Sequence, residues 1–183
     1  VAKKIYAELG GSSPILKLTK KQSDALEIKL NQTQEEDEYK CFIIMRCWNP
    51  RAEDVIKDVQ LYGPDEVVLM PLYPQYSAAT SGSSIKEWKD VCRKNNYHVK
   101  TSTICCYPTD QNFINAHTKE IIKKIKDLKN FKLIFSAHGL PEKNIKKGDP
   151  YQWQVEQSVK KIVENLNDEN LDWILSYQSR VGP

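Results

Sequence analysis

Residues 131–141 read Phe-Lys-Leu-Ile-Phe-Ser-Ala-His-Gly-Leu-Pro: large apolar side chains give way to small residues, one histidine and a glycine. A short apolar run closed by turn residues fits a strand buried on both faces, as strands of parallel sheets are. Working outward, residues 171–175, 67–72 and 41–45 are runs of the same kind, and residues 99–104 are a more polar one. The strands are therefore expected at 41–45, 67–72, 99–104, 131–135 and 171–175.

Helical patterns fill the intervals between these runs. Thr19 with Gln22 has capping-box spacing and predicts a helix over residues 20–30. Asn49 before Pro50 predicts an N-cap with proline at the first helical position, and Gly63-Pro64 predicts the stop. Ser84 with Glu87 is expected to cap the next helix, and Thr109 to open a long one through Ile121, Ile122, Ile125 and Leu128. Asp149-Pro150 is expected to open the last, with Val155, Val159, Ile162, Val163 and Leu166 on its buried face. Residues 31–38 are polar and acidic and predict a surface loop. Alternating strands and helices imply an α/β fold, with parallel sheets, flanking helices and right-handed crossovers.

Composition narrows the function classes. The 183 residues carry a net charge of +3, too weak an imbalance to argue for nucleic acid. No run approaches the ~20 apolar residues of a membrane span, and no signal-peptide pattern opens the chain. The chain starts at Val1 and stops at Gly182-Pro183, just after an expected strand, so it is expected to be a fragment. The cysteines are Cys41, Cys47, Cys92, Cys105 and Cys106, an odd number without C-x-x-C spacing. Free thiols in a reducing compartment fit this pattern better than disulfides or zinc ligation. No Gly-rich dinucleotide turn or phosphate loop is present, which disfavours a plain nucleotide-binding module.

Ligands of open parallel sheets bind beyond the carboxyl ends of the strands. The apolar runs give way in turn to Arg46-Cys47-Trp48, Tyr73-Pro74-Gln75-Tyr76-Ser77, Cys105-Cys106-Tyr107, Ser136-Ala137-His138-Gly139 and Ser176-Tyr177-Gln178-Ser179-Arg180. Aromatic rings supply stacking area, arginine pairs with carboxylates, and histidine supplies a base near neutral pH. The mixture suits a large, flat, aromatic, anionic ligand. Each part has a plain structural alternative: a packed His138, tyrosines that merely cover a loop, and a sheet-edge ion pair for Arg46. His98 and His117 come after no apolar strand and are read as structural.

The same strand ends carry a resemblance. Residues 135–141, Phe-Ser-Ala-His-Gly-Leu-Pro, are similar to the signature of the ferrochelatases, and Gly148-Asp149-Pro150-Tyr151 comes next at that family's spacing. Residues 73–77 lead into Thr80-Ser81-Gly82-Ser83-Ser84 as in the family. Residues 177–183 resemble its Gln-Ser-(Arg/Lys)-Val-Gly-Pro turn, and residues 10–15 its Gly-rich segment before the first long helix. The resemblance implies two similar Rossmann-like α/β domains around a cleft, each incomplete here. Residues 1–110 would be the remainder of the first domain and 111–183 the beginning of the second.

The implied activity is insertion of ferrous iron into protoporphyrin IX, the terminal step of haem biosynthesis. The implied alternatives are a related chelatase acting on another tetrapyrrole or metal, or a porphyrin-binding fragment without activity. His138 matches the family histidine proposed as metal ligand or as pyrrole base. Tyr6, Ser13, Arg46, Tyr73, Tyr76 and Ser77 match porphyrin-contacting or cleft positions. Iron enters as substrate, no resident cofactor is firmly implied, and a cytoplasmic protein with at most peripheral membrane contact is expected. Cys47, Asn49 and Asp110 depart from common family residues. Ala78 stands where some members have an iron–sulfur-cluster cysteine. The family's glutamate opposite the histidine would fall in a part that this sequence does not contain.

Overall fold

A computed structural model describes residues 7, 11–32 and 36–179. They fall into two compact units. One comprises residues up to Asp65 together with Glu87–His98; the other comprises Glu66–Lys86 together with the residues from Val99 onward.

In the first unit, α1 spans Ile15–Leu30 and begins a full turn before the expected start. Pro14 supplies a preset φ of −75°, and the Ser13 hydroxyl accepts from the Ile15 amide at 3.3 Å. Thr19 and Gln22 therefore sit inside the helix rather than at its cap. Near the far end of α1, Glu27 reaches across to the segment beyond the helix. Its carboxylate accepts from the Cys41 amide at 2.8 Å and pairs with Lys40 at 2.9 Å. The Cys41 amide first, and then Lys40, hold the Glu27 carboxyl below its ordinary range.

Residues 41–45 do not form the expected strand. A strand exists only where a neighbour accepts its ladder. Here the amide of Cys41 goes to Glu27, and that of Met45 goes to the Pro50 carbonyl at 2.7 Å. Helix α2 spans Ala52–Tyr62, two residues later than Asn49-Pro50 predicted. That pair forms a cis peptide outside the helix, and Arg51 takes the N-cap position, its amide donating to Asp54 at 2.8 Å. The predicted stop is found: Gly63 has φ 68°, and its amide donates to Val59. Ala52, Val55, Ile56 and Val59 form the buried stripe of α2.

Residues Ala78–Gly82 form a π-helical turn that runs directly into α3, Ser83–Lys94. Ser84 is thus not a cap. Ser77 is, its hydroxyl accepting from the Ala79 amide at 3.1 Å. Trp88 and Val91 are the buried side chains of α3.

The second unit holds the sheets. Strand β1, Glu66–Leu69, pairs in parallel with β2, Lys100–Thr103, with Glu66 opposite Lys100. Helix α4 spans Gln111–Ile125 and is capped by Asp110, not Thr109: the Asp110 carboxylate accepts from Phe113 N–H at 2.9 Å. Strand β3 is Leu133–His138, α5 is Glu142–Lys146, α6 is Tyr151–Leu166 and β4 is Trp173–Gln178. Strands β3 and β4 pair in parallel with His138 opposite Gln178. The fold is therefore α/β with short parallel sheets and flanking helices, as the alternation predicts.

The two later strands lie two or three residues further along than the apolar runs suggest. Once the ladder is aligned, Ser136, Ala137 and His138 continue it against Ser176, Tyr177 and Gln178. Burial on both faces is not found. Ile134 is 60% exposed, Val68 55% and Ile174 48%. Among the described residues each sheet is two strands wide, so one edge of every strand is open. The core of this unit lies where α4 meets α6: Ile114 and Thr118 face Val155, Val159 and Ile162, and Asn165 donates to Asn115 and Thr118, each at 3.1 Å.

Truncating that core should cost far more than truncating a surface leucine. Ile162→Ala is expected to lose about 2–5 kcal/mol in urea denaturation. Leu61→Ala, on α2, is expected to stay within about 0.5 kcal/mol because Leu61 is 89% exposed.

Candidate functional site

His138 ends β3 with its side chain exposed. It is a strand residue, not the loop residue that the apolar run implied. The alternation of β3 places it on the same face as Ile134 and Ser136. Gly139 comes next because nothing larger fits: a β-carbon there would sit 2.9 Å from the Gln178 carbonyl oxygen, which already accepts from the Gly139 amide at 2.6 Å.

The chain returns to His138 at the start of α6. Tyr151 lies against the His138 backbone. Burial pushes its phenol up, and the nearby His138 backbone draws it partly back. Tyr177, opposite Ala137 on β4, is raised by burial and then by the charges of Glu156 and Tyr151. One phenol thus lies beside the His138 backbone, while Tyr177 shares the Ala137 face of the sheet, away from the imidazole.

The same turn reaches the tyrosine loop after β1. Asp149 accepts from the Tyr151 amide at 3.1 Å through one oxygen. Through the other it accepts from the Ser77 hydroxyl and the Ala78 amide, each at 2.9 Å. One turn on, Gln154 accepts from the Tyr76 amide at 2.7 Å and donates to Cys106 Sγ at 3.5 Å. Ser158 accepts from Gln75 at 2.8 Å and donates to the Pro108 carbonyl at 2.7 Å. Gln154 and Ser158 are buried polar groups four residues apart on the apolar face of α6, and each is satisfied.

Tyr73 is 49% exposed and Ser77 only 1%. Tyr76 is half-buried, its ring against the π turn. A β-carbon on Gly82 would stand 2.6 Å from the Tyr76 hydroxyl and 3.2 Å from its Cζ.

Arg46 lies in the first unit. It meets Glu87 at 3.2 Å, while Arg51 engages the other oxygen of Glu87 through Nε at 2.9 Å and Nη2 at 2.7 Å. Glu87 Oε2 and Arg46 Nε are both buried without a hydrogen-bond partner, so Arg46 meets Glu87 by charge alone, whereas Arg51 hydrogen-bonds it. Ser13 is exposed, and its hydroxyl accepts from the Ile15 amide just ahead of α1. Tyr6 lies outside the described residues. His117 is exposed and packs edge-on against Phe113 at 4.6 Å, and His98 is exposed.

Within the second unit, then, the structure brings His138, Tyr76 and Ser77 to one connecting element, the start of α6. Sequence reasoning missed that Asp149, Tyr151, Gln154 and Ser158 make the connection. The signal for it was the pair of polar residues interrupting the stripe of Val155, Val159 and Ile162. Among the described residues no group of three or more His, Cys, Asp or Glu side chains could hold a metal ion.

A family model described as ferrochelatase matches residues 1–183. The chain is 88% identical over 183 residues to a ferrochelatase of Pelagibacter ubique, covering all of this chain and 53% of that protein. It is 48% identical over 182 residues to a ferrochelatase of Rickettsia bellii, with 50% of that protein covered. It is 49% identical over 185 residues to one of a Wolbachia strain, with 58% covered. The chain spans about half the length of the curated relatives it matches.

Gly139→Ala should force the ends of β3 and β4 apart beside His138. A stability loss of about 1–3 kcal/mol is expected from the overpacking. Faster amide exchange at residue 139 would locate it; an unchanged rate would show that the strand ends are not in tight contact.

Proposed function

The chain belongs to the ferrochelatase family, and from that premise we propose that the protein inserts ferrous iron into protoporphyrin IX to form haem, with His138 at the reacting centre. The observation that carries this reading is the exposed imidazole at the carboxyl end of β3, joined through Tyr151 and Asp149 to the loop bearing Tyr73 and Tyr76.

Metallation needs two pyrrole protons to leave and the ion to shed water. A planar porphyrin keeps its nitrogen lone pairs in the ring plane. Contacts far from the nitrogens that bend the ring expose them, so binding energy is converted into reactivity. The tyrosines of the loop offer ring faces for such contacts. The imidazole of His138, in its neutral form, accepts a pyrrole proton or ligates the incoming ion. One ring nitrogen cannot do both at once, so the two roles alternate or one of them is absent.

In the same proposal Arg46 binds a propionate. Releasing Glu87 would leave Arg51 on one of its oxygens with two nitrogens and the other oxygen buried without a charged partner. A cytoplasmic protein is also part of the reading; among the described residues no helix is long and apolar enough to cross a membrane.

Two substitutions in the intact protein separate chemistry from binding. His138→Ala should lower the rate of iron insertion by about 10²-fold or more while porphyrin still quenches the intrinsic fluorescence with near-native affinity. Normal turnover in that variant would remove His138 from the mechanism. Tyr76→Ala should weaken porphyrin binding by roughly three- to tenfold and leave saturated turnover close to native. Native affinity with lost turnover would reverse that assignment.

A further inference from the structure

The loop after β1 carries the ring-binding tyrosines but has no ladder of its own. Its amide at Tyr76 is met by Gln154 at 2.7 Å, and its amide at Ala78 by Asp149 at 2.9 Å. Ser77, between them, is 1% exposed. Its hydroxyl donates to Asp149 at 2.9 Å and accepts from the Ala79 amide at 3.1 Å. A group so placed has neither the exposure nor a spare proton with which to touch a ligand.

We infer that Asp149 is a positioning residue for the porphyrin-binding loop, that Ser77 acts only through it, and that the pair sets affinity for the macrocycle rather than the rate of metal insertion. This rests on the proposed function. Asp149 offers two oxygens to three donors: the Tyr151 amide on one, the Ser77 hydroxyl and the Ala78 amide on the other. A carboxylate can do this because both its oxygens only accept. An asparagine cannot, since its NH₂ group would face the Ala78 N–H in one orientation and the Tyr151 N–H in the other. In the first orientation the loop leaves the backbone path that aims Tyr76; in the second the first turn of α6, which carries Gln154 to that loop, loses its acceptor. The carboxylate thus fixes the distance between two parts of the site that come from chain segments about seventy residues apart.

The test uses the intact protein with Asp149→Asn, Ser77→Ala and the double variant. Three quantities are read: porphyrin affinity by fluorescence quenching, saturated turnover, and amide exchange at Ala78 and Tyr151. Asp149→Asn should bind porphyrin about tenfold more weakly, the scale of a lost charge-assisted hydrogen bond. Turnover at saturation should stay within about twofold of native, and either the Ala78 or the Tyr151 amide should exchange faster. Ser77→Ala keeps the carboxylate and its bond to Ala78. It should lose affinity in the same direction by roughly threefold, and it serves as the milder variant should Asp149→Asn fold poorly. The double variant should be no worse than Asp149→Asn, because the two residues act as one unit. Native affinity in Asp149→Asn despite faster exchange would overturn the inference, as would losses that simply add. If the unsubstituted protein bound no porphyrin, the proposed function itself would fail instead.

Discussion

One carboxylate organises the second unit. Asp149 stands just before α6 and accepts from the chain on both sides of it: forward into the helix, and back to a loop that left β1 some seventy residues earlier. Sheets place loops only approximately, because the ladder ends where the strand ends. What fixes the tyrosine loop is this acceptor together with Gln154 and Ser158 one and two turns along the same helix. The strand ends bring the chemical groups into the neighbourhood, and the helix decides where they stand.

Carboxylates recur in this way. Glu27 holds the Cys41 amide and Lys40, and Glu87 holds Arg51 and Arg46. In each case a side chain on a helix captures a segment that lacks regular structure. The same capture explains why residues 41–45 are irregular. Their apolar content suits a strand, but their amide at Cys41 already has a charged acceptor, and a ladder would have to replace it.

The α/β class is legible in the sequence because it depends on hydrophobic period, a local property. The helix stop at Gly63 and the opening of α6 are legible for the same reason. Helix starts are less so. Pro14, Arg51 and the π turn before α3 shift three of them, and each shift depends on hydrogen bonds to side chains whose choice of partner the spacing does not reveal. His138 stands out by its place after an apolar run, although the strand extends to include it. Asp149 reads in sequence as a helix opener within the Gly148–Tyr151 motif, and the polar Gln154 and Ser158 beside the apolar stripe do not reveal which loop they hold. Their role is visible only when the loop they hold is in place, and that is a long-range contact.

The packing of Tyr76 on Gly82 ties two positions together through sheer lack of space. With the hydroxyl 2.6 Å from where a methyl would be, the glycine is locked for as long as the ring keeps its phenol. Loss of that oxygen would relax the lock, leaving the ring carbon at 3.2 Å as the next obstacle. Lineages that drift at one of these sites should therefore drift at both, with the bulky partner shrinking first.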